Sequence, residues 1–346
     1  CARQIATVAH RYGRYEKHII DYYEYGLFGT QKTWQQKREF LGAFNAWRWL
    51  LIMNPGRFHH LTNDKSTFAR LLSEAGVPTP RTLAILGVGG ESEPGIALQT
   101  RDEIAAWLCS TPLEGFFLKP VSAMGGFGTL SIGKRLDDAP SWRKHPGGEP
   151  IEVDGIVAHL TRFSHHMPFI VQPRLQSHPA LAILAPNVLN TVRVVTLREE
   201  KVEIVSAAFR VALGEGPTDN FSQGGLTAPI ELDSGVRGEA TRLVGGFPVR
   251  YQTHPRSGER IQDLELPDWQ AVLSVVRQAA AVISDLRCLG WDIGLTSEGP
   301  VILEANARFN TRVSQIALDR GLLSTRLGPA LAKCGAYPNI GLGWSR

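Results

Sequence analysis

The sequence predicts an α+β fold, with a strand-rich middle and helices set between sheets. Short apolar runs bounded by Gly, Pro, Asn and Asp follow one another from residue 82 to residue 306. Segments whose apolar residues recur every three or four positions precede, interrupt and follow them. No internal repeat is visible.

In order along the chain, residues 15–52 read as helical. Tyr15, Ile19, Tyr22, Tyr23, Phe28, Trp34, Phe40, Leu41, Phe44, Trp47, Leu50 and Leu51 keep helical spacing until Asn54-Pro55-Gly56 stops the run. These aromatics read as core or as a face docked on the main body; the alternative is an interfacial helix. Asn63 or Asp64 caps a second helix that ends near Gly76. Val77-Pro78-Thr79-Pro80 leads into a strand, TLAIL, and a short helix spans 100–109. Residues 116–133 read strand (FFLKP), Gly-rich loop (VSAMGGFG), strand (TLSIG). The stretch 137–150 reads as a mobile loop. A helix near 154–163 precedes the strand FIVQPRL, and TVRVVTL, VEIVSAAFRVAL and LTAPIEL are further strands. Helices are expected at 268–287 and 311–327, flanking a hairpin, and the tail 335–346 is rich in Gly and Pro.

At 346 residues the chain is long enough for two or three units with a sizeable core. Its 43% hydrophobic and 20% charged residues are ordinary for a soluble globular protein. Cys1, Cys109, Cys288 and Cys334 form no C-x-x-C pair, which argues against a structural zinc or disulfide framework and for a reducing compartment. No apolar run has the length of a membrane span, and the first residues lack a signal-peptide core. A cytoplasmic protein is expected. Cys rather than Met at position 1 suggests a trimmed or upstream start. The net charge of +4 is concentrated in residues 1–60, with nine Lys/Arg against four Asp/Glu. Such an excess is ordinarily a solvated helix face; a membrane surface or other polyanion is the alternative. No nucleic-acid-binding motif is visible.

The most informative segment is 288–310, CLGWDIGLTSEGPVILEANARFN. It reads as two apolar strands carrying carboxylates. A three-residue loop of Ser297, Glu298 and Gly299 puts Gly299 at the left-handed position, and Pro300 opens the next strand. In that register Asp292 lies opposite Glu304, and Asn306 shares their face. A two-residue loop would turn Asp292 away. Three hard oxygen donors suit Mg²⁺, which binds through one or two carboxylates plus substrate phosphates. Solvated carboxylates are the bland alternative for an isolated hairpin.

The rest of the chain supplies a phosphate-binding half. Lys119 ends an apolar strand just before Gly125, Gly126 and Gly128, whose backbone can approach phosphate oxygens. The pattern is neither a P-loop nor a dinucleotide fingerprint. Gln172-Pro173-Arg174-Leu175 ends another strand with an extended linker that could face an adenine edge. Arg193, inside TVRVV, must leave the core face or pair; a bidentate contact to phosphate or carboxylate is one use for it, and an outward structural role is the other. The loop Asp219–Gly225 reads as an acceptor-site loop or simply a hairpin connection. His59-His60 and His165-His166 have a poor spacing for one metal and read as surface or core-edge histidines.

Taken in order, NDK with Lys65, AGVPTP, FLKP, GGFG, FIVQ, TVR, GWDIG and ILEAN resemble the ATP-grasp superfamily from about residue 60 onward. The aromatic N-terminal segment, the NP near position 55 and the LNTVR and DNFSQGGL stretches resemble its sugar-transfer-associated branch. The resemblance implies the ATP-grasp fold, with nucleotide between two sheet-bearing lobes. The implied divisions are a helical N-terminal segment (1–58), an N-terminal subdomain (59–113), a central lobe with the flap (114–177) and a C-terminal lobe with the metal site (178–346). Lys65 and Lys119 would contact phosphates, with Gly125, Gly126 and Gly128 as the flap over them and Gln172 and Leu175 beside the adenine. Asp292, Glu304 and Asn306 would hold Mg²⁺, and Arg193 would act on the transferring group. The implied activity is an ATP- and Mg²⁺-dependent carboxylate–amine or carboxylate–thiol ligase working through an acyl phosphate, on a sugar acid or amino acid in glycan assembly. An ATP-grasp kinase and a non-catalytic nucleotide-binding module are the alternatives, and contact of the basic N-terminal segment with a membrane or a glycosyltransferase is a further one. Two departures stand out. Many such ligases carry an arginine two residues before the first metal-binding Asp, where this chain has Gly290; they often follow the metal Asn with Pro-Gly, where this chain has Ala307-Arg308. Arg308 would supply the missing positive charge.

Overall fold

The computed structural model describes residues 19–335, except 44–45, 88–94, 113, 124–125, 137–139, 146, 164–167, 187, 214–218, 220 and 222–223. Its helices are α1 (Ile19–Glu24), α2 (Trp34–Arg38), α3 (Ala46–Met53), α4 (His60–Asn63), α5 (Lys65–Glu74), α6 (Arg101–Ser110), α7 (Val153–Phe163), α8 (Pro179–Ala182), α9 (Trp269–Val282), α10 (Thr311–Leu318) and α11 (Leu327–Lys333).

Two seven-stranded sheets carry the fold. The first contains β1 (Ala84–Leu86), β2 (Ile96–Leu98), β3 (Phe116–Pro120), β4 (Leu130–Leu136), β5 (Ser141–Lys144), β6 (Pro150–Glu152) and β7 (Phe169–Pro173), in the order β2-β1-β7-β3-β4-β5-β6. The second contains β8 (Thr191–Arg198), β9 (Val202–Val211), β10 (Leu226–Pro229), β11 (Ala240–Val244), β12 (Phe247–Tyr251), β13 (Cys288–Thr296) and β14 (Gly299–Asn306), in the order β12-β11-β10-β9-β8-β13-β14. α6 and α7 cover the first sheet's core around Phe116 and Trp142. α9 lies on one face of the second sheet, where Trp269, Val272 and Val276 pack on Phe209 and Trp291. α3 and α11 cover the other face around Val195 and Leu197. α5 lies between the sheets: Phe68 and Leu72 join the second sheet's core, while Ala69 packs with Ile85 and Ile170 of the first.

The cap reading of 61–76 holds. Asp64 accepts a bond from Thr67 N at 2.7 Å, and Gly76 ends the turn at φ +69°. Elsewhere the structure departs from expectation. Within 15–52 the described residues form three helices rather than one. Gly26, at φ +61°, closes α1, and Leu27 N reaches back to Tyr22 O at 3.0 Å, a left-handed helix stop. Tyr15 and Phe44 lie outside the described residues. Of the aromatics read as core or docked face, Tyr22 and Phe40 are buried, whereas Phe28, Trp34 and Trp47 are exposed. The stretch 137–150 is not simply a loop: it contains β5 and the start of β6, because Trp142 is fully buried edge-on to Phe116 at 5.7 Å. The hairpin β11–β12 was missed; Gly245 and Gly246, both at positive φ, make its turn. α9 stops at Val282 rather than 287, and Asp319, at φ +50°, ends α10 well short of 327. Among the described residues no helix is long and apolar enough to cross a membrane.

Candidate active site

The β13–β14 hairpin places Asp292 directly opposite Glu304, and Gly290 opposite Asn306. The cause differs from the expected three-residue loop. Thr296 pairs with Gly299, so the turn holds only Ser297 and Glu298, although Gly299 does sit at positive φ, +107°. Regular pairing from such a turn would set Asp292 against Leu303. A β-bulge between Asp292 and Ile293 takes up Leu303 and restores the pairing with Glu304. Leu303 and Glu304 consequently both line the same cleft. The site depends on the bulge, not on the turn alone.

Asn54 holds the two ends of this hairpin together. Its side-chain amide donates to Cys288 O at 2.6 Å and Ala307 O at 2.7 Å, and its Oδ1 accepts from Cys288 N at 3.0 Å. It is fully buried. The sequence marked this position as a helix stop and as part of the family resemblance, but not as a tie between the hairpin's ends. His59 in turn bonds Asn54 O at 2.8 Å, which gives that histidine a structural task.

Beside the hairpin, β8 and β9 bring two buried arginines onto the cleft face. Arg193 stands cross-strand from Asp292 and donates through Nε (2.5 Å) and Nη2 (3.0 Å) to its two oxygens. Of the uses the sequence left open for Arg193, the structure shows pairing with a carboxylate of the protein itself; an outward position is not what it takes. Arg210 lies 3.4 Å from Asp292 Oδ2 and 3.3 Å from Asp219 Oδ1. Asp219 also accepts from Thr191 N at 2.8 Å and Thr191 Oγ1 at 2.5 Å. Arg210 was not foreseen, although a charged residue within the apolar run AAFRVAL carried the same signal that exposed Arg193.

The opposite wall comes from the first sheet and α5. Lys119 lies over the Phe117 ring at 5.4 Å, with Nζ 3.4 Å from Gln172 Oε1. Gln172 donates to Pro80 O at 3.3 Å. Lys65 opens α5 and donates from Nζ to Ala123 O at 2.5 Å, which ties it to the base of the Gly-rich loop. Gly126, at φ +77°, lines the cleft next to the exposed Phe127. Gly128 sits behind the loop at φ +70°, where a Cβ would meet Pro120 Cγ at 2.9 Å. Gly125 lies outside the described residues, as do Asn220, Ser222 and Gln223 of the 219–225 loop and the pair His165-His166.

The cleft between these walls has a volume of about 640 Å³ and is lined by Lys65, Lys119, Gln172, Leu175, Arg193, Asp292, Glu304, Asn306 and Arg308, all singled out from sequence. Arg210, Asp219, Glu24 and Arg312 join them. Among the described lining residues six cations face four carboxylates, a surplus suited to a polyphosphate. Gly290 has no room for a larger side chain: a Cβ there would meet Phe309 Cβ at 2.5 Å. Arg193, Arg210 and Arg308 put cations at the cleft.

Burial alone would raise the Asp292 carboxyl, but Arg193 and Arg210 outweigh it and hold Asp292 well below the usual carboxylate range. Glu304 is pushed up, first by burial and then by the neighbouring Asp292 charge. Burial lowers Lys65 and Lys119, with Glu304 opposing the shift in both. Among the described residues no three His, Cys, Asp or Glu side chains cluster to hold a metal. The set here is two carboxylates and an amide, with Asn306 Nδ2 3.2 Å from Glu304 Oε1. Arg193 already engages both oxygens of Asp292, so a Mg²⁺ ion here would be held chiefly by Glu304 and the amide oxygen of Asn306, would share Asp292 with the guanidinium, and would complete its shell with phosphate and water.

Residues 45–328 match the sequence model described as sugar-transfer associated ATP-grasp. The chain belongs to this family. Its two sheet-bearing lobes around a cleft are the ATP-grasp fold expected from the sequence. No curated protein matches the chain. Among solved structures, the ATP-grasp ligase PsnB complexed with minimal precursor is 18% identical, with a TM-score of 0.39, covering 82% of this chain and 64% of that one. VanG D-Ala:D-Ser ligase from Enterococcus faecalis is 12% identical, with a TM-score of 0.44, covering 78% of this ATP-grasp chain and 62% of that one. L-amino acid ligase from Bacillus licheniformis is 11% identical, with a TM-score of 0.41, covering 77% and 48%. The chain thus spans less than two thirds of the length of these proteins.

Proposed function

We propose that this ATP-grasp protein is an ATP- and Mg²⁺-dependent ligase that joins a carboxylate to an amine or thiol through an acyl phosphate. One observation carries the reading: two lysines from one wall, and Asp292, Glu304, Asn306, Arg193 and Arg210 from the other, all meet in one cleft. In this reading Lys65 and Lys119 hold the nucleotide phosphates, the Gly126 loop closes over them, and Gln172 and Leu175 flank the base. Asp292, Glu304 and Asn306 hold Mg²⁺, whose chemistry there is to neutralise charge on the transferring phosphoryl group. Arg193 fixes Asp292 in place, and Arg210 and Arg308 face the phosphoryl group and the acceptor.

In the first step an oxygen of the acceptor carboxylate attacks the γ-phosphorus. The bond to the β,γ-bridging oxygen breaks and ADP leaves. The nucleophile then attacks the acyl carbon, the carbon–oxygen bond to phosphate breaks, and inorganic phosphate leaves as the nucleophile loses a proton.

The acceptor class proposed is a sugar acid or amino acid used in glycan assembly, with the reaction in the cytoplasm, where ATP is available. The divisions at 58, 113 and 177 remain part of this proposal. The test uses an acceptor whose carboxylate carries heavy oxygen. A ligase moves label into inorganic phosphate. A kinase leaves it in the acceptor, and a sensing module forms no ADP with any carboxylate and amine.

A further inference from the structure

Seven of the eight residues of α3 are apolar, and the exception is Arg48. A helix that is apolar all round is ordinarily covered all round. One stripe of α3 is covered: Ala46, Trp49, Leu50 and Met53 are buried against Val195 and Leu197 of β8 and against α11. The other stripe is open. Trp47 and Leu51 lie four residues apart, as do Arg48 and Ile52, so these four side chains share the outer face. Trp47 is 48% exposed and Ile52 50%, and Leu51 is half-buried. Polar residues there would serve the core equally well, so the fold alone does not call for an apolar outer stripe.

The exposed charge of the segment that carries this face is of one sign. Residues 19–60 hold five Lys/Arg against Asp21, Glu24 and Glu39. Asp21 and Glu24 are buried and Glu39 is half-buried, whereas Arg48 and Arg57 are exposed, one on the face and one just past the end of α3. Residues 1–18 add Arg3, Arg11, Arg14 and Lys17 against Glu16. An open stripe with a tryptophan, flanked by exposed arginines, has the chemistry of a contact with anionic lipid: the indole and the aliphatic groups suit the interfacial layer, and the guanidinium groups stay at headgroup level. A symmetric contact between two copies of this chain would instead set Arg48 of one near Arg48 of the other, a like-charge juxtaposition.

We propose that α3 is a docking helix for an anionic membrane surface. Trp47, Leu51 and Ile52 enter the boundary between headgroups and acyl chains, and Arg48, Arg57 and the basic residues of 1–18 meet the headgroups. Three apolar side chains alone bind a bilayer weakly, so attachment depends on anionic lipid and is reversed by salt. The contact is peripheral and leaves the bilayer unspanned. It gives a task to the aromatic, basic segment that the ligase chemistry does not use, and it is independent of that chemistry.

The full chain is sedimented with vesicles of phosphatidylcholine and with vesicles of phosphatidylcholine mixed with phosphatidylserine, at low and at physiological salt. Binding to the mixed vesicles is expected to be roughly tenfold or more tighter than to the neutral ones, and to weaken as salt rises. Trp47→Gln combined with Ile52→Gln is expected to abolish binding with the thermal midpoint unchanged, since both side chains are exposed. Arg48→Gln combined with Arg57→Gln is expected to weaken binding to the mixed vesicles by roughly tenfold or more. No binding to either vesicle, equal binding to both, or binding that survives Trp47→Gln with Ile52→Gln overturns the proposal. The wild-type comparison of the two vesicles stands even if a variant does not fold. A dimer that these substitutions take apart, with no vesicle binding, gives the face to a second copy. Vesicle binding seen only after removal of residues 336–346 gives it to the chain's own tail, which follows Cys334, whose Sγ lies 3.6 Å from Met53 Sδ at the end of α3. Either result also overturns the proposal.

Discussion

Arg193 and Asp292 stand opposite each other on adjacent strands, and the guanidinium grips the carboxylate through two bonds of 2.5 and 3.0 Å. The pair is buried, at 6% and 4% exposure, directly beside the bulge that aligns Glu304. Removing Arg193 takes away both of its bonds to a buried carboxylate and leaves Asp292 with Arg210 as its remaining cation, at a cost of about 3 kcal/mol. Arg193→Met is expected to destabilise by about that amount in a denaturant titration, and adding Asp292→Asn to recover part of it. Equal losses in the single and double variants would show that the pair is not what the fold loses.

Asn54 predicts a second stability effect. Its three bonds to Cys288 and Ala307 tie the start of β13 to the residue after β14. Asn54→Ala leaves buried backbone groups unpaired, and a loss of about 3 kcal/mol is expected. The hairpin that carries the proposed metal donors then loosens, so nucleotide affinity measured by calorimetry in the presence of Mg²⁺ should fall as well. A variant that is destabilised but binds Mg²⁺ and nucleotide as before would separate Asn54 from the site.

Arg308 sits in the cleft where Pro-Gly is common in related ligases. Arg308→Ala is expected to lower turnover by roughly a hundredfold, the effect of losing a charge that acts on the transition state. Nucleotide affinity should change little. Unchanged turnover would remove Arg308 from the mechanism.

Cys288 and Cys109 give a pH-dependent test of the core. Burial pushes the Cys288 thiol up to about 12, whereas Cys109 is exposed. The thiolate is the reactive form, and its fraction rises with pH until the pKa is passed. Cys109 should be alkylated by iodoacetamide at mildly alkaline pH while Cys288 stays unmodified by mass spectrometry until the chain is denatured. Modification of Cys288 in the folded protein would contradict the buried β13.

The strands and the residues that line the cleft were legible because each signal is local. Lys119 at a strand end, Arg193 inside an apolar strand and the Asp292/Glu304/Asn306 pattern need only residue type and period. What escaped depends on pairing between distant segments. The Leu303 bulge is invisible to a pattern of period two, so the correct opposition of Asp292 and Glu304 was reached through the wrong turn. Asn54, Glu24 and Arg312 act through contacts across 230 or more residues, which spacing cannot reveal. The strands in 137–150 were hidden by Pro and Gly and are fixed by one buried side chain, Trp142.

A crystal structure with Mg²⁺ and a non-hydrolysable ATP analogue tests the central claim most directly. The account predicts a cation shared by Asp292, Glu304, Asn306 and the nucleotide phosphates, with Lys65 and Lys119 on those phosphates. A cation bound elsewhere, or a nucleotide lying outside this cleft, would contradict it.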